Sequence, residues 1–175
     1  MRPGRGLVVR RIGAGEWREL RDVRLAALRD APLAFGSSLE RELGFDEATW
    51  RERAAANSAG EWIGGFFAEV DGEVCGLAGG IVEGEGRVVE VVGMWVCPSA
   101  RGLGAGRALL GAVLCWAREE KGAEEAELWV AEGNGVAIAM YRRCGFRETG
   151  EVRAMARHPD RREVRMVAGL ELCDG

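Results

Sequence analysis

The chain has 175 residues, 47% of them hydrophobic and 30% charged, with 24 basic and 28 acidic side chains. This length predicts one domain with a sizeable buried core, and the composition excludes a disordered, collagen-like or disulfide-stapled chain. The formal net charge of −4 argues against a protein that mainly binds nucleic acid, so any basic site must be local.

The cysteines, the histidine and the apolar runs limit the compartment and the metal chemistry. The five cysteines are widely spaced and form no C-x-x-C pair, which favours structural thiols in a reduced, cytoplasmic setting. The single histidine, His158, cannot build a His-rich metal site, so we predict no bound metal. The longest nearly apolar run, residues 108–117, is too short to cross a bilayer. Residues 1–6 lack the features of a signal peptide and are expected to be flexible, so we expect no membrane association.

The beginning of the chain predicts one strand and two helices. Residues 7–12 are rich in β-formers, which favours a strand. Apolar residues recur at helical spacing over residues 16–29, which predicts the first helix. A polar connection, residues 36–44, follows, and residues 46–53 predict a second helix with Asp46 as its N-cap.

The middle of the chain predicts a hairpin, a further strand and a long helix. Residues 62–70 and 73–82 are separated by Asp71-Gly72, a pair that supplies the positive φ angles of a tight hairpin turn. Residues 87–96 predict the next strand. Three alternating glycines then precede a strong helix former, residues 107–121.

The last part of the chain predicts a short strand, residues 128–130, and a short helix, residues 136–144. Two more strands, residues 148–156 and 164–172, are expected on either side of a break at residues 158–160. The order β-α-α-β-β-β-α-β-α-β-β predicts a single α/β or α+β domain with a mixed, mostly antiparallel sheet.

The strand at residues 87–96 runs into a loop of small residues that opens the long helix. Gly102, Gly104 and Gly106 allow the backbone to approach a ligand closely, and the N–H groups at a helix start are unpaired. Together with the helix dipole they make an anion site suited to phosphate. Arg101 adds a cation that can bond phosphate oxygens.

Two common phosphate-binding patterns do not fit this loop. A nucleoside-triphosphate loop needs Gly-Lys-Ser/Thr, but Gly106 is followed by Arg107. The dinucleotide pattern G-x-G-x-x-G fails in both frames, because a frame starting at Gly102 ends on Arg107 and one starting at Gly104 ends on Leu109. The pattern that does fit is R-x-x-G-x-G.

The chain resembles the GCN5-related N-acetyltransferases, the GNAT superfamily, whose pyrophosphate loop has this pattern. A second matching block, N-x-x-A-x-x-x-Y followed by G-F, is formed by Asn134, Ala137, Tyr141, Gly145 and Phe146. The resemblance implies a GNAT fold, an α/β (α+β) fold with about six to seven strands and helices on both faces of the sheet. Its two central strands splay apart, and acyl-CoA lies in the opening.

The resemblance also implies which residues bind the acetyl-CoA cosubstrate. Backbone groups of Met94, Trp95 and Val96 would pair with the pantetheine arm. Asn134 would bond the cofactor arm or its phosphate side. The loop expected to bind the pyrophosphate consists of Arg101, Gly102, Leu103, Gly104, Ala105 and Gly106.

Two residues are the candidates for catalysis. Tyr141 would point its hydroxyl at the thioester sulfur and protonate the departing thiolate, because a leaving thiolate needs a donor. Glu90 lies fourteen residues before Gly104, the spacing at which the histone-acetyltransferase branch keeps its glutamate base. Many members use ordered water in that role instead, so the base is either Glu90 or a water.

Each candidate also has a purely structural interpretation. Tyr141 could be packed in the core, Glu90 could be a surface charge, and Gly133-Asn134-Gly135 is a turn signature in its own right. Trp95 and Trp129 lie on the two strands expected to splay, so one of them is expected to line a pocket.

The sequence predicts an N-acetyltransferase that moves acetyl from acetyl-CoA to a primary amine by direct attack in a ternary complex. The alternative is a non-catalytic GNAT module that only binds acyl-CoA, as a sensor or partner subunit. The resemblance implies that the acceptor, a small molecule or a peptide, binds between the first two helices, residues 16–53, and the last strands, residues 148–172. A homodimer is compatible with the resemblance, but the sequence does not decide it.

Overall fold

The computed structural model describes residues 6–170. The flexibility expected for residues 1–5, and the last two residues predicted for the final strand, therefore lie outside the described residues.

Seven strands form one sheet in the order β1-β2-β3-β4-β5-β7-β6, and β4 and β5 pair in parallel while the other neighbours are antiparallel. The strands are β1 (Leu7–Arg11), β2 (Ile63–Val70), β3 (Glu73–Glu83), β4 (Val88–Val96), β5 (Glu125–Ala131), β6 (Arg147–Met155) and β7 (His158–Gly169). The helices are α1 (Trp17–Asp30), α2 (Leu39–Leu43), α3 (Glu47–Ala59), α4 (Ala105–Glu119) and α5 (Gly135–Arg143). The predicted mixed, mostly antiparallel sheet is confirmed.

Helices cover both faces of the sheet, as the resemblance implied. On one face, residues of α4 and α5 pack with the sheet residues Val89, Leu128 and Met166 in one buried cluster. On the other face, residues of α1 and α3 pack with Phe67 and Leu77 in a second cluster. The sheet therefore separates two cores, and each core fixes one set of helices relative to β4.

Two local predictions are confirmed by their hydrogen bonds and backbone angles. Asp46 caps α3, with Oδ1 accepting from the Thr49 N–H at 2.8 Å. Asp71 and Gly72 have φ angles of 55° and 85°, as the hairpin between β2 and β3 requires.

Two predictions differ from the structure. The polar connection at residues 36–44 contains the five-residue helix α2, which is too short to show a helical repeat and is fixed by a Ser38 cap and by burial of Glu42. The break predicted at residues 158–160 is wrong, because β7 already begins at His158. Pro159 is tolerated there because it lies at the start of the strand.

The central strands β4 and β5 pair over only three residues each. Val88–Glu90 lie opposite Glu125–Glu127, and no pair joins the two strands after that point. The splay implied by the resemblance is therefore present, and it begins just after Glu90.

Candidate active site

A cavity of about 720 Å³ opens where β4 and β5 separate. Part of its wall, named here the strand wall, comes from β4, β5 and α5 and includes Met94, Leu128, Val130, Asn134 and Tyr141. Another part, the helix wall, comes from α1, α3 and the segment between them and includes Arg24, Phe35, Trp50 and Arg53. The turn between β6 and β7 completes the cavity. The lining thus includes residues from both segments where the acceptor was expected.

Strand β4 contains a bulge at the mouth of the splay. Val92 is paired with Gly79 and Trp95 with Leu77, so β4 has one residue more than β3 across this step. Gly93 provides the extra residue with a φ of 65°, a left-handed angle that glycine adopts at no steric cost. A bulge bends its strand and frees backbone groups from the ladder. The bulge residues Gly93 and Met94 both line the cavity.

The β4 residues predicted to bind a cofactor through their backbone lie beyond the last pair with β5. Trp95 and Val96 pair with β3 on one side only, and Met94 lies in the bulge with no register partner on β3 or β5. The Trp95 side chain is 8% exposed and belongs to the core under α1, and Trp129 is the tryptophan of the two that lines the cavity. The cavity edge of β4 is therefore available to a partner chain or an extended ligand.

The glycine loop leads directly into α4. Gly102 and Gly104 have φ angles of 79° and 86°, and Gly104 is the N-cap residue. Within the described part of the chain, the N–H groups of residues 102–107 donate no hydrogen bond. The loop thus presents a row of free donors, including those of Leu103, Ala105 and Gly106, at the positive end of the helix dipole.

The Arg101 side chain is bonded to the protein itself. Its Nε donates to the Val96 carbonyl at 3.0 Å, and its Nη2 forms an ion pair with Asp30 at the end of α1. Asp30 also accepts from Trp95 Nε1 at 2.8 Å. These bonds from Trp95 and Arg101 hold the pKa of the Asp30 carboxyl below its usual range. Arg101 therefore fixes the loop to α1 and β4.

Tyr141 lies at the base of the strand wall. Its side chain is 7% exposed, its ring packs against Phe146, and its hydroxyl bonds to no residue that the structure describes. Burial raises the pKa of Tyr141 to about 12, so the hydroxyl is protonated throughout the neutral range. Asn134 is the N-cap of α5, where its side chain accepts from the Ala137 N–H at 3.2 Å.

Glu90 is half-buried at the point where the splay begins. Burial raises the pKa of its carboxyl, and the charges of Glu83, Glu127 and Glu163 act in the same direction, whereas Arg153 opposes them. Glu90 is in no ion pair with any residue between 6 and 170. Glu90 thus lies on the wall of the cavity, and the pKa of its carboxyl is raised toward the neutral range.

Sequence reasoning did not predict that three charged residues meet at the helix wall. Glu42 of α2 is fully buried and accepts hydrogen bonds from Arg24 of α1 and Arg53 of α3. Their separations of eighteen and eleven residues match no local pattern. The bulge glycine was findable, since a glycine inside a strand often marks a bulge.

The structure contains two further negative findings for the described residues. No helix between residues 6 and 170 is long and apolar enough to span a membrane. No group of three or more His, Cys, Asp or Glu side chains in that range is arranged to hold a metal ion.

Comparison with known proteins places this geometry among acetyltransferases. A sequence model of the Acetyltransferase (GNAT) family matches residues 23–146. The mycothiol acetyltransferase of Salinispora tropica is 41% identical over 63 residues, which are 36% of this chain and 20% of that protein. An uncharacterized N-acetyltransferase of Methanocaldococcus jannaschii is 32% identical over 125 residues, covering 65% of this chain and 55% of its own length. The chain thus spans a fifth to about half of these two curated relatives.

A solved structure extends the similarity to nearly the whole chain. The protein yncA of Salmonella typhimurium, solved with its cofactor acetyl-CoA, superposes with a TM-score of 0.75 at 18% identity and covers 97% of each chain. At that identity the likeness establishes the fold.

Proposed function

The chain belongs to the GNAT family of acetyltransferases, and we propose that it transfers an acetyl group from acetyl-CoA to a primary amine by direct attack in a ternary complex. The observation that supports this most is the free hydroxyl of Tyr141 in a cavity that begins at the β4 bulge. Such a cavity offers an extended cofactor arm both a strand edge and a proton donor.

The residues at the splay fit an anionic cofactor with an extended arm. The unpaired edge at Met94, Trp95 and Val96 suits the amide groups of a pantetheine arm, which can bond like an added strand. The free N–H groups of the glycine loop suit a pyrophosphate. Asn134 lies on the same wall, and its side-chain amide offers a further donor for the arm.

The transfer needs an oxyanion donor and a proton donor. The amine attacks the thioester carbonyl carbon, and the carbonyl oxygen becomes an oxyanion that backbone N–H groups at the β4 bulge stabilise. The tetrahedral intermediate then loses the thiolate, which Tyr141 protonates. A pKa near 12 keeps the Tyr141 proton available at neutral pH.

The amine must lose a proton before it attacks, and Glu90 accepts that proton through water. Glu90 precedes Gly93 by three residues, which is about 10 Å along an extended strand, so its carboxylate does not reach the bulge directly. A base is most effective when its pKa lies near the working pH, and the pKa of Glu90 is raised in that direction.

Titration calorimetry tests the cofactor, and turnover tests the chemistry. Acetyl-CoA and CoA should bind with micromolar affinity, whereas ATP and NAD should not bind. Tyr141→Phe removes the hydroxyl but keeps the ring that packs on Phe146. It should therefore lower kcat by about 10²-fold or more with little effect on acetyl-CoA affinity. The absence of CoA binding would refute the proposal. Binding without thiol release from any amine would favour the non-catalytic module.

A further inference from the structure

Three helices are joined at the helix wall by one buried carboxylate. Glu42 is fully buried; Arg24 donates to it through Nε and Nη2, and Arg53 donates through Nη1 at 3.1 Å. The rings of Phe35 and Trp50 lie 4.7 Å from the Arg24 guanidinium and 5.3 Å from that of Arg53, respectively. The two arginines are therefore held rigidly at the cavity surface.

This cluster has more positive than negative charge. Burial alone would raise the pKa of Glu42, but the hydrogen bonds and charges of Arg24, Ser37 and Arg53 outweigh it and hold the pKa below its usual range. The single negative charge of Glu42 thus faces two guanidinium groups, and both line the cavity. The helix wall has one positive charge that Glu42 does not balance.

The free donor of Arg24 points toward the β4 bulge. Nε and Nη2 of Arg24 bond to Glu42, whereas Nη1 donates to no residue in the described part of the chain. Apart from Gly93 and its two chain neighbours, Nη1 is the one heavy atom of the described residues within 4 Å of where a Cβ on Gly93 would lie, at 3.8 Å. An unused donor on a fixed guanidinium therefore lies beside the place where the acetyl carbonyl is proposed to bind.

We propose that the acceptor is a free α-amino acid whose carboxylate binds Arg24 while its amine attacks the thioester. This inference rests on the proposed function, which places the reacting carbonyl at the bulge. Because Nη1 lies beside the bulge, a carboxylate that pairs with Nη1 must be close to the amine that reacts at the bulge. In an α-amino acid, the carboxylate and the amine are attached to the same carbon atom. Guanidinium groups bind carboxylates through charge-assisted hydrogen bonds.

The acidic groups that line the cavity are compatible with this arrangement. Glu163 is paired with Arg153, and Glu52 is exposed on α3. Glu90, the proposed base, precedes the bulge on β4 and lines the same cavity. An acceptor whose carboxylate pairs with Arg24 therefore has its amine at the bulge, where the amine reaches Glu90 through water.

The reaction balances with acetyl-CoA as the acyl donor. The ammonium group loses one proton through water to Glu90, and the amine nitrogen then forms a bond to the carbonyl carbon. The nitrogen of the intermediate loses a second proton, the carbon–sulfur bond breaks, and the thiolate takes a proton from Tyr141, which the second nitrogen proton replaces through water while Glu90 releases the first. The products are an N-acetyl amino acid, CoA as its thiol, and one proton released to solvent.

Matched acceptors test the carboxylate. Thiol release is measured with the twenty standard L-amino acids, and with the α-amide and the decarboxylated amine of each that reacts. We expect kcat/KM to be about 10- to 100-fold higher for the acid than for its amide, the discrimination of one charge-assisted pair. The amine of the amide is less basic than the amine of the acid, so the intrinsic reactivity of the two amines favours the amide and opposes this preference. Equal or faster reaction of the amides would overturn the inference.

Variants at Arg24 test the residue. Arg24→Gln should lower the ratio of kcat/KM for the acid to kcat/KM for its amide tenfold or more, and Arg24→Lys should lower it by less, because lysine keeps the charge but not the guanidinium donors. Arg29→Gln, at an exposed position of the same helix, is the control that should retain the wild-type ratio. If Arg24→Gln does not fold because Glu42 loses a partner, Arg24→Lys preserves the charge and gives the answer.

The outcomes separate this inference from the proposed function. Absence of acetyl-CoA binding would refute both. If acetyl-CoA binds and amines without a carboxylate react, while no amino acid does, the transferase stands and the α-amino acid acceptor is wrong. A preference for the acid that survives both Arg24 variants would also contradict the inference.

Discussion

Replacing the bulge glycine tests whether the left-handed angle at residue 93 is required. Gly93 has a φ of 65°, and a side chain at that angle costs about 1–2 kcal/mol because Cβ crowds the following carbonyl. The Cβ of Gly93→Ala would meet Arg24 Nη1 at 3.8 Å and nothing closer. No steric overlap is therefore added, and the backbone strain is the whole expected cost.

The expected change in melting temperature follows from the size of the protein. For a domain of this length, 1 kcal/mol corresponds to about 2–4 °C, so Gly93→Ala should melt about 2–8 °C lower. Gly111→Ala is the matched control, because Gly111 lies inside α4 and a Cβ there meets nothing within 4 Å. Alanine is favoured over glycine inside a helix by about 0.5–1 kcal/mol, so this control should melt higher.

Activity distinguishes a structural from a catalytic bulge. If the bulge N–H groups stabilise the oxyanion, strain at residue 93 displaces them, and kcat should fall about tenfold or more while acetyl-CoA affinity stays within about twofold. Urea titration and thiol-release kinetics on Gly93→Ala and Gly111→Ala provide both readouts. A Gly93→Ala protein that is as stable as the Gly111→Ala control and fully active would refute this reasoning.

Three further predictions use the same assays. Glu42→Gln leaves two arginines without their shared negative charge and should cost about 3–5 kcal/mol. Because the pKa of Glu42 is lowered in the folded state, wild type loses this stability as pH falls below the unfolded value near 4.5. Glu42→Gln should lack this pH-dependent loss, whereas the exposed control Glu40→Gln should retain it. Gly80→Ala would place a Cβ 2.7 Å from the Trp116 ring and should destabilise by about 1–3 kcal/mol; no loss in urea would show that the ring can shift. In wild type, kcat should fall as acidification protonates Glu90 through its raised pKa; Glu90→Gln should lack that limb, and an unchanged pH profile would exclude Glu90 as the base.

The parts of the fold that the sequence predicted are those with local causes. The Asp71-Gly72 turn and the Asp46 cap each depend on a few neighbouring residues, and both are present. Helix α2 was missed because it has five residues and depends on the burial of Glu42 against helices distant in sequence. The start of β7 at His158 was missed because pairing with β6 outweighs the local preference of proline for a break.

The same division applies to the candidate site. The glycine loop and the block containing Tyr141 are contiguous patterns, so their residues could be named from the sequence. The cluster of Arg24, Glu42 and Arg53 is assembled by three helices, and before folding its arginines look like any others on an amphipathic helix. The features proposed to bind the cofactor are local here, whereas those proposed to select an acceptor are tertiary.

Helix α1 contacts both functional regions, and this limits what Arg101 can contribute. Arg24 faces the bulge, while Asp30, six residues and about 9 Å further along the helix axis, pairs with Arg101. Because Asp30 already neutralises the guanidinium of Arg101, a bound phosphate would gain little net charge attraction from that side chain. The strength of the proposed pyrophosphate site must therefore come mainly from the free N–H groups of residues 102–107 and from the dipole of α4.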